Sequence, residues 1–388
     1  MNPIRPHRPL RLAACVTLAV SCCTHASEGG VDNIGPGTDG FFTLPLDVDN
    51  LPDHMFAFNV YYNHYEARKL NISSFGGKVS DVKISSDAII PRLDYLSPLR
   101  IFGGRLGGYI AQPYLRQRVA AFGLSDERES MGDTTFAPII LWDMGKDLTL
   151  AAAVEVTVPT GKYDAERLAN TSNNFYTYKP LFSFTWLPTE RTELSLKATY
   201  SFNMENHDTD YRSGQIFHFD YSASYRVTDN LRLGLNGYYL KQTTDDKQNG
   251  ETVRVFGFGE EVDDGVRGQV FAIGPAVHLT FLKYASAEIR WAKEFDVENR
   301  PEGDMLWAKL TIPFELCGIA TKRQPGIRGL PPSTRKSARR PRRKPASARR
   351  SARRAAPAGR RIAAAPTRSG SAAGRPGRPP PGPPKASR

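Results

Sequence analysis

In several segments of this sequence, charged and hydroxylic side chains alternate with apolar ones. Leu194, Leu196, Ala198, Tyr200 and Phe202 are interleaved with Ser195, Lys197, Thr199, Ser201 and Asn203. Tyr176, Tyr178, Phe182, Phe184 and Trp186 are interleaved with Thr177, Lys179, Ser183 and Thr185. Following that phase through the chain places Glu155, Lys179, Lys197, His218, Asp220, Arg226, Arg232, Glu288, Arg290, Glu294 and Lys309 on one face. Both signs occur in similar number, which allows two kinds of chemistry. One is structural: ion pairs and hydrogen bonds between neighbouring strands that fill a narrow interior. The other is a polar constriction that screens solutes, with Lys179 and Lys197 facing Asp220 at its centre. The candidates for a solute path are Lys179, Lys197, His218, Asp220, Arg232, Glu288 and Arg290.

Period-two alternation is the signature of strands, and twelve can be marked, over residues 54–66, 86–96, 100–118, 134–144, 148–159, 175–187, 193–205, 215–227, 231–243, 268–282, 285–295 and 305–314. Most reach the roughly 9–11 residues that a tilted strand uses to cross a bilayer. Strands of soluble sandwiches are shorter, about 5–6 residues. The links after the even strands are short ("SPL", "GKD", "PTER", "TDN", "KY"), and those after the odd strands are long and polar. Alternating short and long links, with both termini on the short side, fits an antiparallel β-barrel of an outer membrane with periplasmic turns, extracellular loops and periplasmic termini. The apolar face must then meet lipid, because hydrocarbon would reject the charges on the other. Trp186 is expected near the periplasmic rim. A mean hydropathy of −0.43 is compatible, since only half of each strand faces lipid.

The ends of the chain differ from its middle. Residues 1–26 join a basic start (Arg5, Arg8, Arg11) to an apolar run from Leu12 to Val20 and small residues at Thr24 and Ala26, the pattern of a cleaved secretory signal. Residues 27–53 have no strand periodicity, and their Gly, Pro and Asp content marks them as irregular. They read either as a flexible leader or as a plug folded into the lumen. The barrel itself is assigned to residues 54–314. Residues 315–388 carry 21 bases and one acid, leaving 31 bases and 39 acids before them, so the overall +12 comes from the tail alone. The tail holds 17 Arg, 14 Ala, 13 Pro and 8 Gly, and a segment of this kind cannot bury a core and is expected to be disordered. These residue types are those of G/C-rich codons, so a slipped reading frame after the last strand is one account of it. A basic periplasmic arm is the other. The basic balance is therefore no argument for a nucleic-acid partner.

Other chemistries find little support. Cys15, Cys22 and Cys23 lie in the signal and Cys317 in the tail, which excludes a disulfide scaffold, a cysteine zinc site and a cysteine nucleophile from the barrel. Glu205, Asp208 and Asp210 share the loop "NMENHDTDYRSG"; calcium would accept such oxygens, but a solvated acidic surface loop is the preferred reading. His207 and Asp208 are residue types used by outer-membrane proteases, but a hydrolase needs a base and a nucleophile placed together. None of the five histidines beyond residue 26 has a serine two residues on, as the outer-membrane phospholipase pattern requires. Gly76, Gly77 and Lys78 lack the spacing of a phosphate loop. "GGRLGG", from Gly103 to Gly108, reads as a strand that bends or packs closely. No enzyme activity and no cofactor are expected.

Four stretches carry a resemblance: "GDTTFAPIILW", "PTGKYDAERLAN", "ENHDTDYRSGQIFHFDY" and "ENRPEGDMLWAKLTIPF". Together they resemble the outer-membrane proteins grouped under the phenol meta-degradation pathway, also called SphA-like transporters, from about Glu28 to Phe314. The resemblance implies a barrel that passes small hydrophobic or aromatic compounds across the outer membrane. Its partners would be outer-membrane lipid, the barrel-assembly machinery and the solute. A general hydrophilic porin, a structural outer-membrane protein and an outer-membrane hydrolase are the alternatives. The tail departs from the family, whose members are expected to end near Phe314.

Overall fold

The computed structural model describes residues 39–72, 77–257, 260–262, 265–281 and 285–315. The chain divides into two compact units, Met1–Thr321 and Lys322–Arg388, and every described residue belongs to the first. The expected signal and the expected disordered tail lie outside the described residues.

Twelve antiparallel strands close into one barrel. They are β1 (Met55–Ile72), β2 (Val82–Ile101), β3 (Gly104–Ala111, continued by Tyr114–Ala121), β4 (Leu124–Met131, continued by Thr134–Asp143), β5 (Leu148–Val158) and β6 (Thr177–Trp186). The rest are β7 (Thr192–Asn203), β8 (Ile216–Arg226), β9 (Leu231–Gln242), β10 (Gln269–Thr280), β11 (Ser286–Glu298) and β12 (Arg300–Glu315). Neighbours in sequence are neighbours in the sheet, and closure comes from β1 pairing with β12, Met55 opposite Glu315 and Asn71 opposite Arg300. Closure leaves no unpaired edge, which a bilayer would not tolerate. The fold reaches its last strand where the sequence places it.

Alternation sorts the two faces. Ile89, Leu93, Phe182, Leu235, Val277 and Ile289 lie exposed on the outside, while Glu193, Ser195, Lys197, Thr199, Ser201 and Asn203 of β7 are all buried inside. Trp186 stands exposed on the outer face at the end of β6.

Two expected boundaries are corrected. "SPL" is not a turn: Ser97–Leu99 lie within β2 at a break in register, with the Ser97 hydroxyl donating to the Leu106 carbonyl at 2.7 Å. The chain reverses instead at Phe102–Gly103, both with positive φ (51° and 82°). A two-residue hairpin matched to the strand twist needs that pair of angles, and glycine supplies the second without strain. The "GGRLGG" stretch therefore contains a turn, followed by a close approach at Gly107, where a Cβ would stand 2.7 Å from the Tyr95 carbonyl oxygen.

The odd links are also not all loops. Residues 124–133, expected to be a link, mostly form a continuation of β4 paired to the second half of β3, and the connection itself is Phe122–Gly123. Its outer face is a ladder of opposite charges, with Arg116 2.5 Å from Glu127 and Arg118 3.4 Å from Asp87. Because the outer positions here are charged, the stretch shows no hydrophobic alternation. Likewise β11 and β12 are joined by Asn299 alone.

Candidate functional site

The polar face identified from sequence does line the lumen. Glu155, Lys179, Lys197, His218, Asp220, Arg232, Glu288, Arg290 and Glu294 are buried, while Arg226 and Lys309 are partly exposed.

Its centre differs from the expected one. Lys197 stands opposite Asp220 in the β7–β8 register, yet its ammonium goes to Glu155 at 2.8 Å and to Asp39 at 2.9 Å. Lys179, opposite Glu155 between β5 and β6, reaches it at 3.3 Å. The Tyr109 hydroxyl donates to the same carboxylate. Asp220 instead meets the His218 Nε2 at 3.1 Å. A lysine with four methylenes can reach past its ladder neighbour, and Glu155 together with Asp39 offers it two negative charges where Asp220 offers one that His218 already contacts. Two lysines and two acids in a buried cluster balance in charge, as burial demands.

Three further acids organise the lumen. Glu288 takes Arg290 Nε at 2.5 Å and His278 Nδ1 at 3.5 Å. Glu294 accepts from the hydroxyls of Tyr65 (2.8 Å) and Tyr238 (2.7 Å) and from the Gly303 amide (2.8 Å). Glu193 accepts from Ser195 (2.5 Å), Ser224 (2.7 Å) and the backbone amide of Phe42 (3.1 Å). Arg232 lies apart from the other candidates, stacked 4.8 Å from the centre of the Phe42 ring, with its guanidinium donating to the Arg191 carbonyl at 3.1 Å.

Asp39 and Phe42 belong to the segment before β1, whose described part, 39–53, lies against the inner wall of the barrel and is termed the plug. Phe41, Leu44 and Val48 are 1%, 5% and 0% exposed. Leu44 and Val48 pack on Leu96, Leu141 and Ala151 of the wall. The Leu44 amide donates to Thr185 Oγ1 at 2.9 Å. At the rim where β1 begins, the Arg105 guanidinium gathers the carbonyls of Val48, Leu51, Pro52 and Asp53 at 2.7–3.2 Å. Irregular backbone inside a barrel needs such partners, since no ladder serves it. Gly40 is seated so closely that a Cβ would fall 1.7 Å from Glu288 Oε1 and 2.6 Å from Arg290 Cδ.

Between the plug and β1, β2 and β12 there is a cavity of about 500 Å³. Phe41, Phe42, Leu44, Tyr61, Tyr109 and Leu141 give it apolar walls.

The described residues contain no group of three His, Cys, Asp or Glu side chains placed to hold a metal ion. In the loop between β7 and β8, Asp208 accepts from Asn174 Nδ2 at 2.9 Å, and His207 is largely exposed beside Glu205.

The barrel has known relatives. The family described as "Putative MetA-pathway of phenol degradation" matches residues 68–310. The chain belongs to that family. Among solved structures it is similar to the COG4313 outer membrane channel from Pseudomonas putida F1, at 18% identity and a TM-score of 0.60, over 70% of this chain and 99% of the other. That likeness establishes the shared fold. A Pseudomonas aeruginosa FadL homologue (8% identity, TM-score 0.36, 70% of this chain and 93% of the other) and the NanC porin (9%, 0.33, 67% and 100%) are too distant to carry an argument. No curated protein matches the chain.

Two acids of the lumen, Asp39 and Glu193, were not foreseen from the sequence. Asp39 has no periodic neighbour to place it, so its pairing with Lys197 had no local signal. Glu193 sits at a strand start, where an acid reads as a solvated end residue; the serines at Ser195, Ser222 and Ser224, in phase with it, were the available clue.

Proposed function

We propose that this outer-membrane barrel is a channel for the passive uptake of small hydrophobic or aromatic compounds. One observation carries the reading. Part of the lumen wall is apolar and aromatic: Tyr61, Ile90, Leu115, Tyr238, Leu240 and Trp307 belong to one buried cluster facing inward from β1, β2, β3, β9 and β12. A water-filled pore has no need of such a wall, whereas a solute of low polarity gains from it on the order of 25 cal/mol for each Å² it removes from water. The plug and the ion pairs of the opposite wall occupy space that a general hydrophilic porin would leave to water.

In this reading the rim with the short turns faces the periplasm, with the strand termini and the plug entrance, and the larger loops face outward. Residues 1–26 are removed on export, and the barrel-assembly machinery inserts the chain among outer-membrane lipids.

Deleting the gene and comparing growth on aromatic and on polar carbon sources tests the function. Slower growth confined to the aromatic sources, restored by the full gene, is the expected result. Equal growth on all sources, together with a steady large conductance of the purified protein in planar bilayers, would replace this reading with the porin.

A further inference from the structure

Among the described residues lining the cavity beside the plug, every carboxylate is held by a cation, and Lys309 is a cation that no carboxylate holds. Three carboxylates line the cavity, and each has a partner. Asp39 is held by Lys197 at 2.9 Å, Asp94 by Arg92 at 2.5 Å, and Glu288 by Arg290 at 2.5 Å. Lys309 also lines the cavity. Among the described residues no carboxylate stands within ion-pair distance of it. Its ammonium lies 5.6 Å from the centre of the Tyr61 ring. The acid directly across the β11–β12 ladder is Glu288, already engaged by Arg290 and His278. Arg92, the other cation on this side, is doubly satisfied by Asp94 and by the face of Tyr109 at 3.7 Å.

We propose that this cavity binds a small aromatic monocarboxylate, with its ring between Tyr61, Tyr109 and the plug phenylalanines and its carboxylate on the Lys309 ammonium. The proposal rests on the aromatic-uptake reading above and narrows it to aromatic acids. The volume, about 500 Å³, falls in the range of small-molecule sites, roughly 300–1,000 Å³. A single spare positive charge selects a single negative one: a dianion would leave a charge unpaired in a partly desolvated site, and an organic cation would meet Lys309 with like sign. Rings on both sides, from the wall and from the plug, select a flat solute over an alkyl chain.

The test uses the full-length protein in detergent, with calorimetric titration of benzoate and of toluene, its uncharged counterpart, into the wild type, Lys309→Met and Lys309→Arg. Benzoate should bind the wild type. It should bind K309M about tenfold more weakly or worse, the loss expected for one charge-assisted hydrogen bond, and K309R nearly as well as wild type. Toluene binding should not change between the three. Should K309M fail to fold, salt serves instead: raising sodium chloride tenfold should weaken benzoate and leave toluene unaffected. If K309M and salt both leave benzoate unchanged, or if toluene binds the wild type as tightly as benzoate, the proposal is overturned while aromatic uptake stands. If neither compound binds, and liposomes carrying the protein take up benzoate no faster than protein-free ones, the uptake reading fails and this inference fails with it.

Discussion

The two halves of the lumen wall are built from different residue types. From β5 to β8 the inward positions are hydroxyls and charges, such as Thr149, Glu155, Lys179, Ser183, Thr185, Glu193, Lys197 and Asp220. From β9 through the closure to β4 they include Tyr238, Leu240, Val270, Met305, Trp307, Tyr61, Ile90 and Leu115. The plug shows why the division matters. Its Phe42 and Leu44 amides are held by the polar half, through Glu193 and Thr185, as is its buried carboxylate at Asp39, while Arg105 of β3 gathers four of its carbonyls at the rim. An irregular segment needs hydrogen-bond partners, and the polar half supplies those of residues 39–44 while Arg105 supplies those at the rim.

Breaking the polar half should have the largest effect. Glu155→Ala removes the shared acceptor of Lys179, Lys197 and Tyr109, all buried. Leaving a buried pair half broken costs about 3–5 kcal/mol. The temperature at which the folded barrel loses its compact mobility on a gel should fall clearly. An unchanged transition would mean that the cluster is hydrated and the contrast between the halves is overstated.

Gly40→Val tests the plug without touching either wall. Its side chain cannot share the space now held by Glu288 and Arg290, so the segment must lift. The expected outcome is a several-fold rise in ion conductance in planar bilayers with little change in barrel stability. Equal conductance would show that residues 39–53 do not limit the path.

On the apolar half, Tyr238→Phe removes one of two hydroxyls from Glu294 and keeps the ring. A single hydrogen bond to a charged group contributes about 1.5–3 kcal/mol, of which the remaining donors Tyr65 and Gly303 recover a part. The stability loss should be about 1 kcal/mol, smaller than for Glu155→Ala.

The smallest effect is local to the loops. Asp246, between β9 and β10, accepts from Tyr211 (2.5 Å), Gly214 (2.6 Å) and Gln242 (2.7 Å), and burial pushes its carboxyl up to about 7 from an ordinary 3.8. A pKa higher in the folded than in the unfolded state means stability that is full below about pH 4 and is lost as pH rises toward 7. Amide exchange at Gly214 should therefore be better protected at pH 5 than at pH 8, after correction for intrinsic rates. Asp246→Asn should flatten the difference; a difference that survives it would assign the pH response to another group.

The sequence by itself determined the strands, their number, which face meets lipid and which residues line the lumen, because alternation is local: once Leu196 and Ala198 face hydrocarbon, Lys197 has only one way to point. It also placed the last strand, whose alternation from Leu306 to Phe314 needs no distant partner to be read. Only the tertiary structure decided who pairs with whom. Lys197 has Asp220 beside it in the ladder but turns to Glu155 and Asp39, because the interior of a closed barrel brings together side chains from strands and from a segment 158 positions apart in sequence. The plug was one of two readings that the sequence left open for residues 27–53. Its residues have no period of their own, and what holds them in place is a set of donors and acceptors contributed by Arg105, Thr185, Glu193 and Lys197, which become neighbours only after the barrel closes.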